Sequence, residues 1–408
     1  MVGVLWCLAL LSVVVIGVLH TARLDLMVVK NQGDRIQAHY LALAGVEKAK
    51  ALIYHDMLTR RNTATSHTGD VYDNAKDFQD VEMGRGRFRV FRPGQSDEVE
   101  ETIFGVTDEE RFLNVNTMSA EELTKLDGMT PEVVAAIMDW RDGDNAVSPG
   151  GAEAEYYATL QPPRLPRNGP FQTIRELLMV RGVSQDLLFG EMGWATMMTA
   201  HSSGRNLNAS GNARVNIQSA DERTLTGVSG ITAQIAKAII ASRSQEEFKS
   251  IADLLEVPPV SNQPAQNTGS AAKRSSSGPR VISDNLFIEI ADDVTVVSEE
   301  TQPGLVNINT ASVEVLACLK GITPELAQAI VSHRKSSGFF SSTAGLLKVP
   351  GVNAALFKQL APRLTARSET FRIVSEGKVT STGASQRIEA IVHVSRNNIK
   401  TLAYRENL

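Results

Sequence analysis

Five carboxylates, Asp139, Asp142, Asp144, Glu153 and Glu155, fall within 17 residues and sit beside the loop glycines Gly143 and Gly151. Calcium takes about six to eight oxygen ligands at roughly 2.3–2.6 Å, and flexible loops supply them readily, so a cluster of this kind is chemically able to hold that ion. The alternative is a solvated acidic loop in which Arg141 pairs with Asp139 or Asp142. Taken alone, the residues favour the solvated loop.

Little else in the chain reads as chemistry. It has no phosphate-cradling glycine loop, no Gly-x-Ser-x-Gly elbow and no zinc spacing among its seven histidines. His20, His39, His55 and His67 lie in or just after an N-terminal helical stretch, whereas His201, His333 and His393 are scattered. Cys7 falls in an apolar run and Cys318 in a helical one, so both read as packing residues and not as a disulfide or metal pair. With 41 basic against 46 acidic residues, the net charge of −5 offers no overall basic field for nucleic acid. These counts point away from an enzyme and toward a protein that binds.

The carboxylate cluster lies inside a text written three times, over residues 111–141, 214–243 and 305–334. Repeats of this kind set a fold before local propensities do. Each copy runs through an Asn-rich opening, a Ser/Ala pair, an apolar helix, a Gly-apolar-Thr turn, a second apolar helix and an arginine. In the third copy Thr310 and Ser312 offer hydroxyls to the free amides of a helix start, and Glu314 suits its positive end. Gly321 then ends that helix, and Thr323–Pro324 starts the next. Each unit is a helix–hairpin–helix. A second half follows each arginine: Phe, a polar cap, a Leu-Leu pair, Val, a turn and a helix. In copy one it resumes at Pro170 after an insertion over 142–169, and in copy two the polar run 258–281 interrupts it before the chain resumes at Ile282. That run is rich in Ser, Pro, Asn, Gln and Gly, so it is expected to be disordered.

Hairpins of this type can grip DNA phosphates through a Gly-apolar-Gly turn with bare backbone amides. Here the turns are Gly128–Met129–Thr130, Gly230–Ile231–Thr232 and Gly321–Ile322–Thr323, each without the second glycine. Only Lys320, Arg181 and Lys348 supply basic charge near the turns, too little for strong phosphate affinity. Packing is therefore expected, not nucleic-acid binding.

Residues 1–19 contain no charge and match the roughly 20 apolar residues that span a bilayer. The helical pattern continues without proline to about residue 58, now with charges on one side. A polar loop is expected over 59–76. Residues 86–92 and 101–106 alternate like half-buried strands, as do 370–376 and 387–394. Two strands need partners, so the repeats are expected as an insertion into one small sheet. The chain then divides into an N-terminal helix over 1–58, first strands within 86–110, and two repeats over 111–257. The loop of 258–281, the rest of repeat two with repeat three over 282–366, and closing strands over 367–408 complete it.

Together, "ALAGVEKAK" at 42–50, "NVNT", "DWRDGD", "GAEAEYY" at 151–157, "NGPF" at 168–171 and "VNINTAS" resemble the GspK family, the minor pseudopilins of type II secretion (general secretion pathway protein K). The resemblance covers most of the chain in order. It implies an α+β, pilin-like fold, with a long N-terminal α-helix against a small antiparallel sheet and a large inserted α-helical domain. It also implies a single-pass inner-membrane protein with its globular part in the periplasm, at the tip of the pseudopilus among other minor pseudopilins, with no small-molecule substrate. Related proteins carry calcium in the inserted domain, which makes Asp142, Asp144 and Glu153, then Glu155, the expected ligands. The family is made with a basic leader, whereas this chain opens on the apolar segment, and copy two looks expanded. Major pilins carry a glutamate near the mature N-terminus; here no acidic residue precedes Asp25, so no buried carboxylate calls for a neighbour's amine. A related "NINTAS" copy occurs in membrane-anchored DNA receptors of natural transformation, the alternative assignment.

Overall fold

The computed structural model describes residues 1–63, 71–191, 193–259, 280–396 and 398–406. The expected disordered loop of 258–281 therefore lies, except for its ends, outside the described residues.

With no proline to break it, Val2–Thr63 forms one helix, α1, about 90 Å long at roughly 1.5 Å per residue. It ends at Thr63 and not at residue 58, shortening the expected polar loop. Asp56 and Arg60 pair one turn apart at 2.8 Å, and Arg60 and Arg61 sit at the negative end of the helix, which favours the added turn. No residue of α1 before Asp34 is buried. From there Ala38, Leu41, Ala42, Val46, Ala49 and Ile53 recur at the helical spacing and face a sheet. A short helix, α2 (Ala75–Phe78), follows.

The sheet is antiparallel throughout. Its strands β1 (Val81–Met83), β2 (Gly86–Val90), β4 (Thr370–Val379), β5 (Ser385–Val394) and β6 (Ile399–Glu406) lie side by side in that order, and β3 (Thr107–Asp108) pairs with the other end of β4. Ser375 of β4 stands opposite both Val90 and Ile388, so strands far apart in sequence close one sheet. Of the two expected early strands, 86–92 supplies β2, but 101–106 does not join the sheet. Pro93 removes a ladder donor, and the chain folds outward so that Thr102–Ile103 pairs with Arg92–Pro93 instead. Small residues let α1 approach closely: a Cβ on Gly45 would meet Ser375 Oγ at 2.2 Å, and one on Gly377 would meet the Ala38 carbonyl at 2.2 Å.

Between β3 and β4 the chain inserts its three repeats. The hairpins are α3 (Ala120–Leu123) with α4 (Pro131–Arg141), α7 (Glu222–Thr226) with α8 (Ala233–Arg243), and α10 (Val313–Cys318) with α11 (Pro324–Ser337). α5 (Ala154–Ala158) lies in the insertion of copy one, and the second halves end in α6 (Gln185–Phe189), α9 (Asp284–Ile290) and α12 (Ala354–Leu360). The recurring residues have one job each. The second polar residue of each opening accepts the amide of the phenylalanine that begins the second half: Asn116 from Phe171 at 2.7 Å, Gln218 from Phe248 at 3.2 Å, Asn309 from Phe340 at 2.7 Å. The closing arginines donate back to opening carbonyls, Arg243 to Ile217 and Arg334 to Ile308 and Ala311. A two-residue parallel pairing then seals each copy, Leu113–Asn114 with Met198–Thr199, Val215–Asn216 with Val294–Thr295 and Val306–Asn307 with Leu364–Thr365. The repeats share one apolar core, and α1 with the sheet forms another.

Candidate metal site

The acidic cluster of copy one is assembled by an aromatic clamp. Trp140, fully buried near the end of α4, stands edge-on to Tyr157 of α5 at 5.0 Å and stacks on Phe171 at 6.4 Å, while its Nε1 donates to Glu176 at 3.1 Å. This fixes the end of α4 against the start of α5. Gly150, at φ +83°, turns the intervening loop back, and Gly151 passes so close that a Cβ there would lie 2.0 Å from Asp139 Oδ2.

As a result, carboxylate oxygens of Asp139, Asp142 and Glu153 come within 4.8 Å of one another. Asp139 is fully buried at the negative end of α4 and accepts only a long bond, 3.2 Å, from the Ser148 amide. Glu153 is 1% exposed, and neither of its oxygens has a hydrogen-bond partner among the described residues. Burial first, then the charges of Asp142 and Asp139, push the Glu153 carboxyl above its usual range. Asp142, partly exposed, is raised by burial and by Asp144 and Asp139. Three mutually repelling carboxylates with two orphaned oxygens are the donor set that a hard divalent cation neutralises.

Of the four expected ligands, Asp142 and Glu153 meet here and Asp144 and Glu155 do not. Asp144 is exposed and accepts the Ala146 amide at 2.8 Å within its own turn. Glu155 is exposed on α5, turned away because the clamp points Tyr157 inward. Asp139 takes their place. Nor does Arg141 neutralise the acids, as the solvated-loop alternative required, since its guanidinium donates to the carbonyls of Val115 and Met118.

The hairpin turns are built for packing. Gly128, Gly230 and Gly321 adopt φ of +71°, +92° and +82°, and a Cβ on each would collide with Leu187, Leu286 and Leu356 of the same copy's second half. Thr130, Thr232 and Thr323 accept the amides of Val133, Ile235 and Leu326, and Pro131 and Pro324 remove a further donor each. Few bare amides remain at these turns for a phosphate.

A long helix on a small antiparallel sheet, interrupted by helix–hairpin–helix repeats of which the first carries an acidic site, is a pilin-like α+β fold with an inserted helical domain. Residues 119–189 match the family model of type II secretion system protein K, and residues 210–267 and 302–365 match the helix-hairpin-helix motif. The protein K match thus falls on the first repeat and its insertion. Similarity elsewhere is partial. Endonuclease/exonuclease/phosphatase family domain-containing protein 1 of Bos taurus is 28% identical over 163 residues, 38% of this chain and 28% of the relative. ComE operon protein 1 of Bacillus subtilis is 33% identical over 73 residues, 18% of this chain and 36% of the relative. The chain thus spans about a third or less of the length of these relatives. Among solved structures, the GspK-GspI-GspJ complex from enterotoxigenic Escherichia coli contains a chain 14% identical, with a TM-score of 0.44 over 92% of this chain and 99% of that one.

Proposed function

We propose that the chain caps the pseudopilus of a type II secretion system. In this role α1 lies in the inner membrane before assembly and in the filament core afterwards, and the globular part stands in the periplasm beside the other minor pseudopilins. The observation that carries this reading is where the bulk sits. The insert closes over the C-terminal end of α1, with Arg61 4.0 Å from Glu369 and Gly211 against the Arg61 side chain, at the far end from the uncovered apolar half. A subunit with that mass above its stalk can be added to from below only. The full chain, extracted in detergent, should co-purify with the other minor pseudopilins of its own system; a chain that elutes alone when all are co-expressed would sink the assignment.

The same reading gives the acidic site a structural task. Asp139, Asp142 and Glu153 would hold a calcium ion that ties the end of α4 to the start of α5 and supplies charge neutralisation, not catalysis. Calorimetry on the full chain should detect saturable calcium binding, and Glu153→Gln should weaken it at least about tenfold, as expected when a buried charge-assisted ligand is lost. Absence of heat in the unsubstituted chain would remove the site.

A further inference from the structure

Where the repeats meet the sheet, a second charged site lies far from the acidic one in sequence. Arg111, next to the root of the insert, is 5% exposed. Its guanidinium makes no ion pair and no hydrogen bond to any described residue, and its Nε is buried without an acceptor. It lies over the face of the Phe112 ring, 5.6 Å from the centroid. A buried guanidinium with no carboxylate in hydrogen-bond reach is costly, so such a group is expected to have one supplied from outside.

Beside it is a half-open cavity of about 280 Å³ that Arg111 lines together with Tyr72, Arg92, Asp108, Arg334 and Lys335. The other cations are already paired: Arg92 binds Glu98 at 2.6 Å, and Arg334 and Lys335 share Asp97 at 3.5 and 3.0 Å. The oxygens of Asp108 are turned to other donors, accepting from the Glu110 amide at 2.8 Å, from Asn307 at 2.9 Å and from the Thr310 hydroxyl, so that it acts on Arg111 only through its charge. Four cations face three carboxylates, which leaves the cavity one positive charge over, and Arg111 is the cation there with no carboxylate in direct contact. Burial and the neighbouring Arg92 lower its basicity to about 10, against the opposing pull of the nearby Glu98 and Asp108.

We propose that this cavity binds a small carboxylate monoanion, held by the Arg111 guanidinium and not chemically changed. The planar fork of arginine matches a carboxylate in two parallel hydrogen bonds. A dianion such as phosphate would overcompensate the single free charge and meet Asp97, Glu98 and Asp108. The carboxylate could come from a free metabolite or from an acidic side chain of a partner subunit entering past Lys335, whose side chain is 51% exposed at the mouth.

The test is the melting temperature of the full chain in detergent micelles, titrated with sodium acetate at constant ionic strength. A saturable rise is expected, with Arg111→Gln weakening the apparent affinity at least about tenfold. If Arg111→Gln does not fold, Lys335→Glu at the solvent-facing mouth decides, because it reverses a charge on the entry path; it too should weaken acetate about tenfold. No saturable rise, an unchanged affinity in either folded variant, or tighter binding of inorganic phosphate than acetate would overturn the proposal. Given acetate binding, its competition with the other minor pseudopilins for the full chain would assign the carboxylate to a partner; no competition would assign it to a free anion.

Discussion

At the residue scale, the chain places its ionisable groups by role. Asp142 and Glu153 are held with raised affinity for protons, so without a cation their contribution to stability is present below the unfolded carboxyl values, 3.8 and 4.5, and is lost as pH rises through their higher folded values. With calcium chelated, the melting temperature should therefore fall between about pH 4 and neutrality, and added calcium should flatten that slope; equal slopes with and without calcium would mean that the three acids do not share an ion. Half of this site was legible in the sequence. The density of carboxylates drew attention to the right loop, yet the pattern could not choose among them. Asp139 enters because Trp140 and Tyr157 lock two helices together, a contact between residues whose proximity depends on tertiary packing. Arg111 gave no signal, since a lone arginine looks the same in sequence whether paired or not.

At the level of elements, tight backbone approach is what joins stalk to sheet. Gly377 leaves room for the Ala38 carbonyl of α1, and Gly45 leaves room for Ser375. Gly377→Val should cost about 1–3 kcal/mol or more, read by urea unfolding, whereas Gly383→Ala in the neighbouring turn should act through its φ of +72° alone. A Gly377→Val chain as stable as the parent would show that α1 does not need this approach. The repeat helices were readable because each carries a cap, an apolar stripe and a stop. The strand pairings of two residues were not, because one or two ladder bonds leave no periodicity. β6 falls within the closing strands expected over 367–408 but shows no alternation of its own: as an edge strand it is mostly exposed and carries Lys400 and Arg405, which blunt the edge.

On the scale of the whole molecule, two cores and one bare helix divide the work. Nothing before Asp34 contributes to either core, so a chain beginning at residue 20 should stay monodisperse without detergent in gel filtration and keep its melting temperature to within a few degrees. Aggregation of that chain would mean that the apolar half steadies the head. The split layout was legible because strand-like alternation occurs on both sides of a helical block. Its cost is temporal. Strands β1 to β3 leave the ribosome early, and the partner that lies between them comes only after every repeat has been made. Until residues 370–394 arrive, the apolar stripe of α1 lacks the central strands on which it rests. The last strands to be made are thus the latch that shuts the sheet, joining its two early edges and covering the stripe of α1 in a single step.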